Sequence, residues 1–135
     1  MGFMFWVKLY LATIPVFFAI DMLWLGVLAR SFYQTNLRHL LSPEVNWPAA
    51  FIFYFIYIAG ILLFAVRPGL EAQSLGRACL WGALFGFFTY ATYDLTNLAT
   101  LRDWPLNVVL VDIAWGTVLC TLVAGGSYLL ALKLA

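Results

Sequence analysis

The chain has 135 residues, of which 65% are hydrophobic and only 10% are charged, and its mean hydropathy is +0.97. A soluble domain of this size could not bury so much apolar surface, so the composition predicts a protein whose solvent is the lipid bilayer. The net charge of +1 argues against a nucleic-acid partner, because binding to phosphates requires a concentrated basic face.

Four apolar stretches follow one another along the chain, each close to the ~20 residues that a helix needs to cross a ~30 Å hydrocarbon core. Helices are expected because lipid offers no partner to unpaired backbone groups. We therefore predict an all-α, polytopic membrane protein with a single membrane domain over residues 1–135 and four transmembrane helices in an antiparallel bundle. The predicted helices cover residues 6–29, 48–66, 77–101 and 105–133.

The connections between these stretches differ in character. Residues 30–47 are polar, but apolar side chains recur among them at helical spacing, which predicts a short interfacial helix between helices 1 and 2 that ends at Ser42-Pro43. The segment from Arg67 to Arg77 contains Pro68-Gly69 and is interpreted as a loop. A tight turn around residues 102–105 joins the last two helices.

The orientation of the chain is weakly encoded by its basic residues. Four of them fall on the side of the termini and three on the other side: Lys8, Arg67, Arg77 and Lys133 against Arg30, Arg38 and Arg102. Positive residues concentrate on the cytoplasmic side, so we expect both termini in the cytoplasm.

Three aspartates interrupt the apolar stretches at one level. Asp21 lies nine residues before Arg30, Asp94 eight before Arg102, and Asp112 nine after Asp103, which puts each ~12 to 14 Å below the same membrane surface. A charged side chain in hydrocarbon costs at least roughly 2.5 to 3.5 kcal/mol, so three at one depth indicate a site.

Small residues predict how two of these helices pack. Ala78, Gly82, Gly86, Tyr90 and Asp94 follow at intervals of four on helix 3, and Asp112, Gly116, Cys120 and Ala124 do so on helix 4. Such ridges let membrane helices approach closely, and packing them antiparallel would bring Asp94 and Asp112 together. Neighbouring polar and aromatic residues complete the candidate binding site: Trp24, Tyr54, Tyr90, Tyr93, Asn97 and Trp115.

Lys8 is the only basic residue inside or beside an apolar stretch, and it lies at the opposite membrane surface, so the protein itself offers these aspartates no obvious intramembrane cation. Protonation, pairing with a loop arginine, or a bound cation would each resolve the charge. We therefore favour a small transporter or binding protein for a cation or a proton-coupled solute. A divalent metal ion would suit oxygen ligands, with Asp94 and Asp112 as its candidate ligands, whereas an organic cation would favour aromatic walls.

Three other interpretations stay open. The aspartates could be purely structural acceptors for neighbouring Trp and Tyr donors. The protein could be a membrane enzyme acting on a lipid or quinone-like substrate, with Arg30, Arg38 and His39 holding an anionic head group. It could also be an accessory subunit that packs on a partner through its small-residue ridges. The small size of the protomer suggests a homodimer.

Three strings carry a family resemblance: residues 20–26 (IDMLWLG), 90–97 (YATYDLTN) and 111–116 (VDIAWG). With them, the chain resembles a family of small bacterial membrane proteins catalogued as domain of unknown function 2177, over nearly its whole length. The resemblance implies a four-span protein of the bacterial inner membrane. It implies no particular activity, so function has to be argued from the residues.

Overall fold

The computed structural model describes residues 1–135, and all of its regular structure is helical, as predicted. Two π-helical turns extend the regular helices: Trp24–Leu28 continues the first helix, and Leu62–Val66 joins the third helix to the fourth. The α-helices in chain order are α1 (Phe3–Leu23), α2 (Arg30–Leu37), α3 (Trp47–Ile61), α4 (Arg67–Glu71), α5 (Leu75–Thr100) and α6 (Leu106–Leu134).

Three helical stretches are long and apolar enough to cross a membrane: Phe3–Leu28, Trp47–Glu71 and Leu106–Leu134. The prediction of four such spans is therefore supported for three, and the composition of α5 does not support the fourth. Although α5 has 26 residues, its glycines, threonines and tyrosines, together with Asp94, lower its hydropathy.

Neighbouring long helices run antiparallel. The hydroxyl groups of Thr13 in α1 and Ser127 in α6 lie 2.8 Å apart, and Asp21 near the end of α1 meets Trp115 in the first half of α6, so the two helices run in opposite directions. The Tyr57 hydroxyl of α3 lies 2.8 Å from that of Thr89 in α5. Around the Thr13–Ser127 pair the bundle is closely packed, with fully buried side chains such as Leu9 and Ile61.

The predicted ridges of α5 and α6 pack on each other. A Cβ atom added at Gly82 would lie 2.6 Å from the Cys120 carbonyl oxygen, and one at Gly86 would strike the carbonyl group of Gly116. The ring of Tyr90 covers Gly116 so closely that a Cβ there would overlap it. Glycine is required at these positions because any side chain would force the two helices apart.

The prediction of a loop directly after residue 66 is wrong, because the chain stays helical through Glu71. Pro68 lacks an N–H group and its ring crowds the preceding turn, which normally ends a helix. Here the widened π-helical turn comes first, and the Arg67 N–H bonds to the Leu62 carbonyl five residues back. Gly69 allows close approach instead of a turn, since a Cβ there would lie 2.5 Å from that of Ala78.

The short helix expected between the first two spans is present as α2. It ends at Leu37, earlier than Ser42-Pro43, and side-chain contacts attach it to the other helices. The Asn107 amide of α6 donates to the side-chain oxygen of Asn36 at 2.8 Å, and His39 Nε2 lies 2.8 Å from the Asp103 carbonyl oxygen. These contacts hold α2 across the end of the bundle at which α5 ends and α6 begins.

The outer surface of the long helices is strongly apolar. Large hydrophobic side chains on each of them are more than half exposed, including Leu11, Ile56, Phe88 and Leu122. A water-soluble protein rarely exposes such contiguous apolar area, so this surface fits contact with lipid tails.

Candidate functional site: an aspartate cavity

A cavity of about 410 Å³ opens between α1, α3, α5 and α6, at the level of Asp21 and Asp112. Six of its ten lining residues are aromatic, and two are aspartates. We call it the aspartate cavity; its walls are Asp21, Leu25, Phe53, Tyr54, Tyr57, Thr89, Tyr90, Tyr93, Asp112 and Trp115.

Asp21 is held at the end of α1, where it is only 3% exposed. The indole Nε1 of Trp115 donates a hydrogen bond to its Oδ1 at 3.3 Å, and the Tyr54 hydroxyl lies beside the same carboxyl group. Donors from two other helices thus fix the orientation of this side chain. A carboxylate has about four acceptor positions, so capacity remains for a ligand in the cavity.

Asp112, on the first turns of α6, is bound by α2. The Tyr33 hydroxyl donates to Asp112 Oδ1 at 2.7 Å, and the Trp24 indole Nε1 donates to the Tyr33 hydroxyl at 3.1 Å. Burial, and then the negative charge of Asp112, raise the pKa of Tyr33 well above its usual range, so its hydroxyl keeps the proton that it donates.

The two tryptophans connect the aspartates. Trp24 and Trp115 are stacked, with ring centroids 4.5 Å apart and planes 7° from parallel. Trp115 donates to Asp21, while Trp24 donates to the tyrosine that holds Asp112. Both carboxyl groups are therefore positioned by one continuous polar and aromatic network.

Asp94 lies outside the wall of the aspartate cavity. Its side chain is fully buried, neither carboxyl oxygen has a hydrogen-bond partner, and it does not line the cavity. Its carboxyl group lies next to that of Asp112, because the packed ridges of α5 and α6 bring the two positions together. Asp94 is thus behind the cavity wall that Asp112 forms.

Tyrosines from α3 and α5 form the opposite wall. The Tyr57 hydroxyl lies 2.8 Å from Thr89 Oγ1 and 3.1 Å from Cys120 Sγ, which holds its ring in place. The rings of Tyr57 and Tyr90 meet edge to face, with centroids 6.2 Å apart. These contacts make the wall aromatic and comparatively rigid.

The predicted site residues fall into two groups. Those in the cavity wall are Asp21, Tyr54, Tyr90, Tyr93, Asp112 and Trp115. Asp94 and Trp24 lie directly behind it, and Asn97 is outside the wall beside Tyr93. Sequence reasoning missed Leu25, Phe53, Tyr57, Thr89 and Tyr33; only the recurrence of apolar residues in residues 30–47 gave any sign of a helix that could bring Tyr33 inward.

The carboxylates do not form a metal-type cluster. No three His, Cys, Asp or Glu side chains come close enough to hold one ion, so Asp94 and Asp112 could offer at most a pair of ligands. The protein also supplies no cation to the cavity. The one ion pair in the structure joins Arg67 and Glu71 at 3.0 Å on the surface of the opposite end.

We expect Tyr33→Phe to loosen α2. The substitution keeps the ring but removes the hydrogen bond to a charged acceptor, which is worth about 1.5 to 3 kcal/mol. Amide hydrogen exchange in residues 30–37 should accelerate by about tenfold or more. Tyr10→Phe is the matched control, because Tyr10 donates to the Phe55 carbonyl in another part of the bundle. Equal amide exchange rates in α2 of the Tyr33→Phe and Tyr10→Phe variants would show that the Tyr33 hydrogen bond does not stabilise the position of α2.

Comparison with known families adds one finding. The model of the family described as "Predicted membrane protein (DUF2177)" matches residues 6–129. No curated protein and no solved structure matches the chain.

Proposed function

Because the chain belongs to the DUF2177 family of predicted membrane proteins, we propose that it is an integral membrane protein whose aspartate cavity binds, and carries, a small organic cation. One observation carries the proposal. Two carboxylates, the buried Asp21 and the half-buried Asp112, face a mostly aromatic cavity to which the protein supplies no positive charge.

Charge balance supports a cationic ligand. Ionisable side chains within a membrane usually pair with one another or mark the path of an ion or substrate. Asp21 and Asp112 each receive a neutral donor, from Trp115 and Tyr33, but neither meets a lysine or an arginine. These neutral donors orient the two carboxyl groups but do not balance their negative charge. A cation in the cavity would balance it.

The aromatic walls support an organic cation over a metal ion. An ammonium group over the face of a Trp or Tyr ring gains about 0.5 to 2 kcal/mol, and Trp115, Tyr54 and Tyr90 offer such faces. A divalent metal would require about six oxygen ligands around one point, which the two wall carboxylates do not provide. The volume of about 410 Å³ is in the range of small-molecule pockets.

The other interpretations have less support. None of Arg30, Arg38 and His39 lines the cavity, and His39 is engaged with the Asp103 carbonyl, which weakens the case for a lipid-modifying enzyme. The small-residue ridges are used internally between α5 and α6, so they offer little surface to a partner subunit.

The proposed topology has four membrane spans, with α5 crossing the bilayer beside α6. Gly82 and Gly86 hold α5 closely against α6. Because α6 is an apolar helix of 29 residues, we expect α5 to cross the bilayer alongside it. Its polar residues are tolerable in lipid because Asp94 and the cavity tyrosines face the bundle interior. We further propose that the membrane is the bacterial inner membrane, with both termini in the cytoplasm.

Thiol labelling tests this topology. In a background with Cys79→Ala and Cys120→Ala, Gln73→Cys and Asp103→Cys place single reporters in the turns at either end of α5. We expect a membrane-impermeant reagent to label only Asp103→Cys in intact bacterial cells, and both variants after permeabilisation. Labelling of both from outside would show that α5 does not cross the membrane.

Calorimetric titration of the protein in lipid nanodiscs tests the ligand class. Benzylammonium is expected to bind, whereas benzyl alcohol, which has the same ring without the charge, should not. Mg²⁺ and Ca²⁺ are expected neither to bind nor to compete. Binding of a divalent ion in place of the ammonium compound would refute the aromatic part of the proposal, and no binding of any cation would refute the proposal itself.

A further inference from the structure

Asp94 has an environment in which the ionised form is poorly tolerated. Its side chain is 0% exposed, and neither carboxyl oxygen accepts a hydrogen bond. An isolated buried carboxylate would pay a desolvation cost that no donor here repays. A carboxylic acid pays far less, and here it can donate to the adjacent Asp112 carboxyl group, so the burial favours the neutral, protonated side chain.

The groups that face Asp94 point to the same conclusion. From α6 it meets the Asp112 carboxyl group, from α2 the Tyr33 hydroxyl lies within electrostatic range, and Tyr93 precedes it on α5. None of these is positively charged. Two adjacent carboxyl groups resist double ionisation. Asp112 receives the Tyr33 hydrogen bond, whereas Asp94 receives none, so Asp94 is the member of the pair left to hold a proton.

We propose that Asp94 holds a proton which it gives up when a cation occupies the aspartate cavity, so that cation binding is exchanged for proton release. This inference rests on the proposed function of the cavity. It identifies Asp94 as the residue that couples cation binding to proton release. Asp94 does not contact the ligand, since it lies outside the wall; it acts through Asp112.

The exchange balances in charge and atoms. Before binding, Asp94 is a carboxylic acid and Asp112 a carboxylate. A cation entering beside Asp112 compensates its charge, which removes the repulsion that kept Asp94 neutral. The O–H bond of Asp94 then breaks, and the proton passes by way of the Asp112 carboxylate into the cavity. One positive charge enters the site and one leaves it.

A structural role would require different surroundings. A buried carboxyl group that only links helices accepts hydrogen bonds from its neighbours, as Asp21 does from Trp115. Asp94 has no such donor, although asparagine or a small apolar residue would fill the same space. Its polar neighbour is the Asp112 carboxyl group, to which Asp94 can donate a hydrogen bond only while it holds a proton.

Infrared difference spectroscopy and proton counting test the inference. Asp94→Asn is the isosteric neutral variant. The matched control is Asp103→Asn in the exposed α5–α6 turn, where the φ of 57° suits asparagine as well as aspartate. We expect the wild-type protein at neutral pH to show a carboxylic-acid carbonyl band that is absent from Asp94→Asn and unchanged in Asp103→Asn.

On titration with benzylammonium, the wild type and Asp103→Asn should lose this band and release about one proton per bound cation, measured by calorimetry in buffers of different ionisation enthalpy. Asp94→Asn should bind benzylammonium with an affinity that no longer depends on pH, and should release no proton.

Three results would overturn the inference. The band could be missing in the wild type or persist in Asp94→Asn, which would mean that Asp94 is not the protonated group. Cation binding could leave the band and the proton count of the wild type unchanged, which would remove the coupling while the proposed ligand class stands. If no cation binds at all, the coupling fails together with the proposed function, and the band alone still decides whether Asp94 is protonated.

Discussion

Asp112→Asn is expected to weaken binding of benzylammonium by about thirtyfold or more. Losing one charge of a buried, hydrogen-bonded charge contact costs about 2 to 5 kcal/mol, and a tenfold change corresponds to about 1.4 kcal/mol. The asparagine oxygen can still accept a hydrogen bond from the Tyr33 hydroxyl, so α2 should stay attached to α6 and the fold should survive. The change therefore removes the charge and leaves the shape of the cavity.

Calorimetric titration of the purified variant measures this loss, with thermal unfolding as a check on folding. Asp103→Asn is the control, because it removes a carboxylate from an exposed turn and should leave the affinity unchanged. An Asp112→Asn protein that folds and binds the cation as tightly as the parent would show that this carboxylate is a structural acceptor for Tyr33 and not part of a binding site.

Gly86→Ala is expected to destabilise the bundle by about 1 to 3 kcal/mol or more. The new methyl group would strike the Gly116 carbonyl and lie 2.9 Å from Cys120 Cβ. A backbone carbonyl cannot move aside as a flexible side chain can, so α5 and α6 must separate. Because Tyr90 and Asp94 lie on the same ridge, the cavity wall should be displaced and cation binding lost as well.

Unfolding of the purified protein in detergent micelles measures this effect. Gly126→Ala is the matched control on α6, where the nearest atom to the added methyl group is Val16 Cγ1 at the ordinary contact distance of 3.7 Å. Equal stability of the two variants would contradict the close α5–α6 packing on which the position of Asp94 beside Asp112 depends.

Much of this architecture could be predicted from the sequence because a helix rises by a fixed distance per residue. The number of residues between a side chain and the end of its helix therefore gives its position along the helix axis. The level shared by Asp21, Asp94 and Asp112 followed from their distances to the helix ends, and the Gly82, Gly86 and Gly116 pattern indicated which faces of α5 and α6 meet. Small residues at fourfold spacing give this signal because only they permit such close contact.

The direction of each side chain around its helix was less predictable. Depth does not distinguish a carboxylate in the cavity wall from one behind it, so the position of Asp94 behind the wall that Asp112 forms could not be foreseen. Tyr33 was missed because it reaches Asp112 from a segment 79 residues away in sequence, through a contact that no local pattern encodes. The expected fourth apolar span was not found, because α5 carries Asp94 together with glycines, threonines and tyrosines that lower its hydropathy.

The resonances of the tryptophan indole N–H groups test the organic-cation cavity most directly. Trp115 Nε1–H bonds to Asp21 in the wall, and Trp24 stacks on it, whereas Trp6, Trp47, Trp81 and Trp104 line no part of this cavity. In ¹⁵N-labelled protein, with assignments made by single Trp→Phe variants, we expect benzylammonium to shift the Trp115 and Trp24 signals saturably and to leave the other four in place. Unchanged Trp115 and Trp24 signals, or equal shifts of all six, would contradict binding of an organic cation in the aspartate cavity.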